Sequence, residues 1–391
     1  MKKLIIFILL LIFFLIYKYL FNNICYFDNL IKDYLTYSEN NFKKISPDKR
    51  WDIRIKVLEN YEELKNNYNL INIKKLNYNE TKNNKIFVSI ASFRDPECNH
   101  TINSLITKAF NKNNLRIVVC EQNMLNDKSA LIGNENYTNL IHIIKLHADE
   151  AKGPTYARFL IQQLYNNEEY YLQIDSHTLF EQNWDQKLIS SLNLLDNKSC
   201  ITQYLPEYSI KSKNKKSYSV RDGLKVIKIS ALDGFTRINS NFIENIDYSE
   251  DLNEANAWSA CFSFSKGNIC LDAPIDPYTP ELFFGEEMDI TLRLYTRNWK
   301  FYSPNYPIAY TNFNRNYRNT FWNKKTYNKK LSLLSKLRLS YRLNILPNNY
   351  KILIKEKYPM LINDIDKYSL GNIKTLEDYE YLIEENFIPD E

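Results

Sequence analysis

The clearest chemistry in the chain sits in one tripeptide, Asp175-Ser176-His177, which follows the apolar run Tyr170-Tyr171-Leu172-Gln173-Ile174. That run reads as a buried strand. Residues two apart on extended backbone point to the same side. Asp175 and His177 can therefore hold one cation between them, just past the strand's carboxyl end. A carboxylate oxygen beside an imidazole nitrogen suits Mn²⁺ better than Ca²⁺, with Mg²⁺ as the second choice. A cation held there would stabilise an anion that gains charge as a bond breaks, such as a departing diphosphate. The plainer alternative is an Asp and a His that only cap a turn, and for three residues alone that alternative wins, because short motifs recur by chance.

Other chemistry-bearing residues lie at comparable places. Arg94 and Asp95 lie just past the strand-like run Ile86–Ala91, so they sit where ligands collect in open α/β sheets; a local ion pair between the two is the alternative. Arg158 lies on a helix after the Gly153-Pro154 turn, either on a solvated face or with its planar donor fork aimed at phosphate. Glu286 and Glu287 open a helix, where the dipole favours acids whatever their role. The apolar approach Leu282-Phe283-Phe284-Gly285 places at least one of them at a desolvated position, where a carboxyl pKa rises. Trp258 either stacks on a ligand or fills the core.

The elements that must position these residues alternate. Short apolar runs at Ile86–Ala91, Leu115–Cys120, Leu140–Leu146, Tyr170–Ile174, Ile201–Tyr204 and Ala260–Phe264 read as strands. Between and after them, helical spacing recurs at Thr101–Phe110, Thr155–Tyr165, Asp185–Leu195 and Glu286–Arg297. Strands alternating with helices imply an α/β fold with a largely parallel sheet covered on both faces. Val226–Ile229 is a further strand in an otherwise polar stretch, and the chain after Phe321 is basic and helical.

The 391 residues are enough for a substantial core, and 44% hydrophobic with 25% charged is a globular composition. The net charge of +5 is spread out; the lysines of Lys211–Lys216 read as solvated loop charge. No basic stripe interleaved with aromatics is present, which excludes a nucleic-acid partner. The six cysteines show no Cys-x-x-Cys spacing, so they read as buried hydrophobes, with one or two disulfides open in an oxidising compartment.

Leu4 to Phe21 is almost wholly apolar and long enough, at about 1.5 Å per residue, to cross a bilayer. No small-residue cleavage pattern follows, which favours an uncleaved signal-anchor over a signal peptide. The organisation read from the chain is a signal-anchor at 1–22, a stem at 23–82, a catalytic domain at 83–320 and a helical extension at 321–391. The lysines at 2 and 3 favour a type II orientation with a luminal domain in Golgi or ER, a cytosolic-facing domain being the alternative. Asn79, Asn99, Asn136 and Asn197 begin glycosylation sequons, in a chain so rich in Asn that chance produces them.

Four blocks now stand in order: Val88–Asp95; Gly153–Arg158 through Gln162–Tyr165 and Glu168–Tyr170 to Leu172–His177; Trp258–Phe262 through Leu282–Glu287 to Tyr302–Pro304; and Leu370–Asn372 with Thr375, Leu376 and Tyr379. Together they resemble the polypeptide α-N-acetylglucosaminyltransferase family, which includes a cytoplasmic enzyme that modifies hydroxyproline. The resemblance implies a GT-A fold, a UDP-sugar donor, a divalent metal and retention of anomeric configuration. It makes Asp175 and His177 the metal diad and sets Ser92, Phe93, Arg94 and Asp95 against the nucleotide. Arg158 would then face the diphosphate, and Glu286 and Glu287 the acceptor side, with one of them steadying the acceptor hydroxyl or positive charge at the sugar.

One departure stands out. Where the family carries a His completing the metal site, this chain reads Ile308-Ala309-Tyr310-Thr311-Asn312-Phe313-Asn314-Arg315, and Thr311 or Asn312 occupies the matching place. Three readings follow: transfer of N-acetylglucosamine from UDP-GlcNAc to a protein or glycan hydroxyl, the same chemistry with another UDP-sugar, or an inactive membrane-tethered binding or scaffold protein.

Overall fold

The computed structural model describes residues 39–68, 82–208, 224–230, 232–240, 252–324 and 326–385. The expected membrane anchor at 4–21, the lysines at 211–216 and Asn79 lie outside these residues. Among the described residues, no helix is long and apolar enough to cross a membrane, and the five cysteines are buried and unpaired.

The chain enters through helices α1 (Pro47–Ile55) and α2 (Tyr61–Tyr68). The central sheet then begins with β1 (Lys82–Phe93), followed by α3 (Cys98–Thr107), β2 (Leu115–Asn123), β3 (Ile141–His147), α4 (Pro154–Gln162) and β4 (Glu168–Asp175). A short β5 (Thr178–Phe180) leads to α5 (Trp184–Leu192) and β6 (Ser199–Thr202). The hairpin strands β7 (Lys225–Ile229) and β8 (Thr236–Asn239) precede β9 (Leu252–Ala255), β10 (Phe262–Lys266), α6 (Glu286–Tyr295), β11 (Lys300–Pro304) and β12 (Ala309–Thr311). Helices α7 (Lys329–Arg342), α8 (Asn348–Lys357) and α9 (Leu376–Ile383) close the chain.

Eight strands form one sheet in the order β3-β2-β1-β4-β10-β6-β11-β9. The left half, β3 to β4, is entirely parallel. The expected parallel sheet is interrupted by β10, which runs antiparallel between β4 and β6, and by the antiparallel edge strand β9. Apolar runs reveal burial on both faces but not strand direction, so this insertion left no mark in the sequence pattern.

The period-two alternation of β1 builds two cores. Ile86, Val88 and Ile90 pack with Ile102, Leu105, Trp184 and Leu188 on one face. Phe87 on the other face packs with Phe159, Ile161, Leu292 and Leu294 of α4 and α6. A third core lies apart: Trp51, Val57, Leu58 and Leu64 bury against Leu331, Leu334, Leu337, Ile354 and Leu361. Residues 39–68, within the segment read as a stem, therefore form a helical unit with the C-terminal helices.

Two glycines shape the site. Gly153 (φ +98°) precedes Pro154 at the first turn of α4, and a β-carbon there would come within 3.0 Å of the Leu282 carbonyl oxygen. Gly285 (φ +112°) precedes α6 and lies against Leu339 of α7, which a β-carbon would meet at 3.1 Å. Both positions demand glycine, and both bring α4 and α6 to the carboxyl edge of the sheet.

Candidate active site

A cavity of about 400 Å³ opens at the carboxyl ends of β1, β2 and β4, and Phe93, Arg158, Asp175, His177, Glu286 and Glu287 all line it. This is where an open α/β sheet collects ligands.

Asp95 holds the diad in place. Its buried carboxylate accepts hydrogen bonds from Ser176 Oγ (2.7 Å), His177 Nδ1 (2.8 Å) and Tyr317 Oη (3.1 Å), and Arg318 Nε lies 3.3 Å from it. Burial works against its charge, yet His177, Arg318 and Ser176 together keep its carboxyl below the usual range. The carboxylate calls for the proton on Nδ1, which leaves the Nε2 lone pair directed away from Asp95. Nε2 lies 3.7 Å from Asp175 Oδ2. That gap is too wide for a hydrogen bond, and both atoms would be available to ligate one cation. The donor set thus fits a divalent metal, with a carboxylate behind the histidine as metal-ligating imidazoles commonly have. Among the described residues, no three His, Cys, Asp or Glu side chains converge on one point, so further ligands would be oxygens of water or substrate.

Arg158 is spoken for by the protein. Its guanidinium donates to Glu286 Oε2 (2.5 Å), Asp175 Oδ1 (3.2 Å) and the Ala260 carbonyl (3.3 Å), and its side chain is only 5% exposed. It ties Asp175 to the helix-opening Glu286. Glu286 is thereby paired with a cation, while its Oε1 has no partner. Burial raises its pKa, and Arg158 works against that rise. Glu287 has no such direct cation. It accepts from the Ala260 N–H and the Tyr204 hydroxyl, both at 2.9 Å, and burial pushes its pKa up to about 7.

Several sequence-derived candidates stand away from the cavity. Arg94 pairs with Asp127 (Nε–Oδ2 2.7 Å), not with Asp95. Ser92 is buried, and its carbonyl accepts from Gln122 Nε2. Trp258 is buried among core residues. Thr311 and Asn312 are behind the diad: β12 pairs with β5, so the Thr311 hydroxyl and the Asn312 N–H both donate to the His177 carbonyl. The Asn312 side-chain oxygen accepts from the Asn314 N–H. Thr311 and Asn312, expected at the place of a third ligand, here hold the backbone of His177.

Residues that sequence reasoning passed over come forward from the same segment. Arg315 and Arg318 line the cavity. Arg315 stacks over Trp322 (4.9 Å) and Phe283 (5.7 Å), and burial lowers its pKa while Asp175 supports its charge. Arg318 donates to the Phe93 carbonyl (3.1 Å). The available signal was two arginines within four residues, just past the absent histidine. Phe284, Phe313 and Trp322, each between 37% and 52% exposed, line the same cavity.

The family model described as Glycosyltransferase (GlcNAc) matches residues 85–142 and 133–388. No curated protein matches by sequence. Among solved structures, the chain is similar to a crystal structure of GalNAc-T7 with UDP, GalNAc and Mn²⁺, at 12% identity and a TM-score of 0.49, over 83% of this chain and 61% of that one. It is also similar to a crystal structure of S. aureus TarS 1-349 in complex with UDP-GlcNAc, at 12% identity and a TM-score of 0.41, over 76% and 84% of the two chains. This chain thus spans less than two thirds of the GalNAc-T7 chain. With the family model covering most of its length, the chain, whose α/β sheet lies beneath the cavity, belongs to the GlcNAc glycosyltransferase family.

Proposed function

We propose that the chain is a metal-dependent, retaining transferase that moves N-acetylglucosamine from UDP-GlcNAc to a hydroxyl of a protein or glycan acceptor. In this reading it is held at a membrane through residues 4–21, with its catalytic domain in a secretory lumen. The observation that carries the chemistry is the meeting of Asp175, His177, Arg158, Glu286 and Glu287 on one cavity at the sheet's carboxyl edge.

A divalent cation, Mn²⁺ first among candidates, held by Asp175 Oδ2 and His177 Nε2 would offset charge growing on the departing diphosphate. Asp95 fixes the imidazole so that Nε2 faces that place. Arg158 keeps Asp175 aligned and neutralises Glu286. Arg315 and Arg318 add positive charge on the wall bearing the aromatic residues, where diphosphate oxygens would gain from donors already in position. Glu287, with no cation bonded to it, steadies positive charge at the anomeric carbon and orients the acceptor hydroxyl. The new bond joins the acceptor oxygen to the anomeric carbon as the bond to diphosphate breaks. The hydroxyl proton leaves with a diphosphate oxygen on the same face, which retains configuration. The exposed rings of Phe284, Phe313 and Trp322 give the acceptor an apolar surface on its approach.

The test is UDP release by the full chain with Mn²⁺ across a panel of nucleotide sugars. Turnover with UDP-GlcNAc above all others is expected; turnover with a different UDP-sugar replaces the donor. UDP binding without turnover on any donor would sink the transferase reading in favour of a binding or scaffold protein.

A further inference from the structure

One wall of the cavity carries buried polar atoms that the chemistry above does not use. Gln122, at the end of β2, lines the cavity and is 2% exposed. Its Nε2 donates to the Ser92 carbonyl (3.3 Å), which fixes which way the carboxamide points. Its Oε1 has no partner. Thr320, 6% exposed, lines the same cavity, and its hydroxyl has no partner either. Contacts between their neighbours join the two. Phe93 adjoins Ser92, Phe321 adjoins Thr320, and the two rings meet edge to face at 5.8 Å. Both rings line the cavity as well.

A buried acceptor left unsatisfied is costly, and such groups at a cavity wall mark places where a ligand completes the bonding. The pair offers one acceptor that cannot turn into a donor without setting Oε1 against the Ser92 carbonyl. Across the Phe93–Phe321 ring contact, on the same cavity, the Thr320 hydroxyl is free to donate. The complementary ligand edge carries an N–H next to a carbonyl.

We infer that Gln122 and Thr320 form the base-reading end of the donor site and select a nucleobase with an imide edge, as in uracil: Gln122 Oε1 accepts its ring N–H, and the Thr320 hydroxyl donates to a flanking carbonyl. This rests on the nucleotide-sugar reading of the cavity and adds the residues that choose the base. Cytosine presents a bare ring nitrogen where uracil presents N–H, so it sets two acceptors face to face. Methylation of the uracil ring nitrogen removes the hydrogen and adds bulk.

Equilibrium binding of UDP, CDP and N3-methyl-UDP to the full chain tests it. The wild type should bind UDP at least about tenfold more tightly than either analogue, since a net 1.4 kcal/mol is a factor of ten. Gln122→Leu should bring UDP down to the level of CDP, and Gln122→Glu, which keeps an acceptor, should restore part of the preference. Thr320→Val should weaken UDP by a smaller factor. Binding of UDP with a UDP-to-CDP ratio that Gln122→Leu leaves unchanged, in a variant that melts like the wild type, overturns the assignment and spares the nucleotide reading. A wild type that binds no nucleoside diphosphate overturns both.

Discussion

Two clusters of carboxylates and arginines lie one helical turn apart along α6, and they do opposite things. At the head of the helix, Glu286 joins Arg158 and Asp175 on the wall of the cavity. One turn on, Asp289 joins Arg342 (2.7 Å) and Arg293 (3.3 Å), while Asp276 takes Arg338 (2.8 Å) and Arg342. None of Asp276, Asp289, Arg293, Arg338 and Arg342 lines the cavity. Burial opposes the charge of Asp276, yet Arg338 and Arg342 hold its carboxyl below the usual range. Arg293 is pushed down to about 10, chiefly by burial. In composition the clusters are alike. What separates them is whether charge remains available to something other than protein: the first faces open space with Glu287, Arg315 and an unpartnered Glu286 oxygen, and the second spends its charges joining α7 to α6 and the segment before it.

The comparison breaks if function and stability fail to separate. Asp175→Ala should lower transfer by about 10³-fold or more, because it removes a cation ligand, while leaving the melting temperature within a few degrees. Steady-state kinetics beside a thermal melt reads both. Asp276→Asn should do the reverse. Leaving two buried arginines poorly matched costs about 3–5 kcal/mol in denaturant unfolding, with kcat of the folded fraction unchanged at low temperature. Glu287→Gln should reduce kcat about 10²-fold. If the ionised carboxylate is the working form, the wild-type rate rises as pH passes through about 7, and that limb is absent from the pH–rate profile of the variant.

Glu281 sharpens the contrast from outside both clusters. Burial raises its pKa to about 7, although Lys324 lies 3.0 Å away. A carboxyl raised above its unfolded value binds more protons when folded, so its contribution is full below about pH 4 and falls as pH rises through about 7. Glu281→Gln should flatten that decline by up to about 3 kcal/mol, read from unfolding between pH 5 and 8. Arg94→Ala should matter least. Its pair with Asp127 is partly exposed and stands off the cavity, so a change under about 1 kcal/mol in stability and under about threefold in rate is expected.

The framework was legible because buried strands announce themselves. Tyr170–Ile174 read from the sequence lies inside β4, and Glu286 opens α6 as the apolar approach and acidic start implied. Strand alternation predicted that Asp175 and His177 share a side, yet β4 ends at Asp175 and His177 lies in the bend before β5. Asp95 was found by position, yet its grip on His177 spans 82 residues and no local pattern encodes it. Strand direction was hidden, because β10 reads the same whether parallel or antiparallel. Arg158 illustrates a further limit: residue type suggested phosphate, but what a guanidinium bonds depends on carboxylates brought near by folding. Arg315 and Arg318 were masked by attention to the histidine that is missing beside them.

The helical unit built from the two ends of the chain sets a clock on folding. Glu63 bonds Asn328 across 265 positions, and Trp51, Val57 and Leu64 find their apolar partners only after α7 and α8 exist. At about 5–20 residues per second of synthesis, those side chains wait roughly 15–50 s in an unfinished chain. The central sheet can form in that interval, while the N-terminal helices remain greasy and unclaimed. A truncated product lacking the last quarter would leave them so permanently, a natural handle by which chaperones could tell an incomplete chain from a finished one.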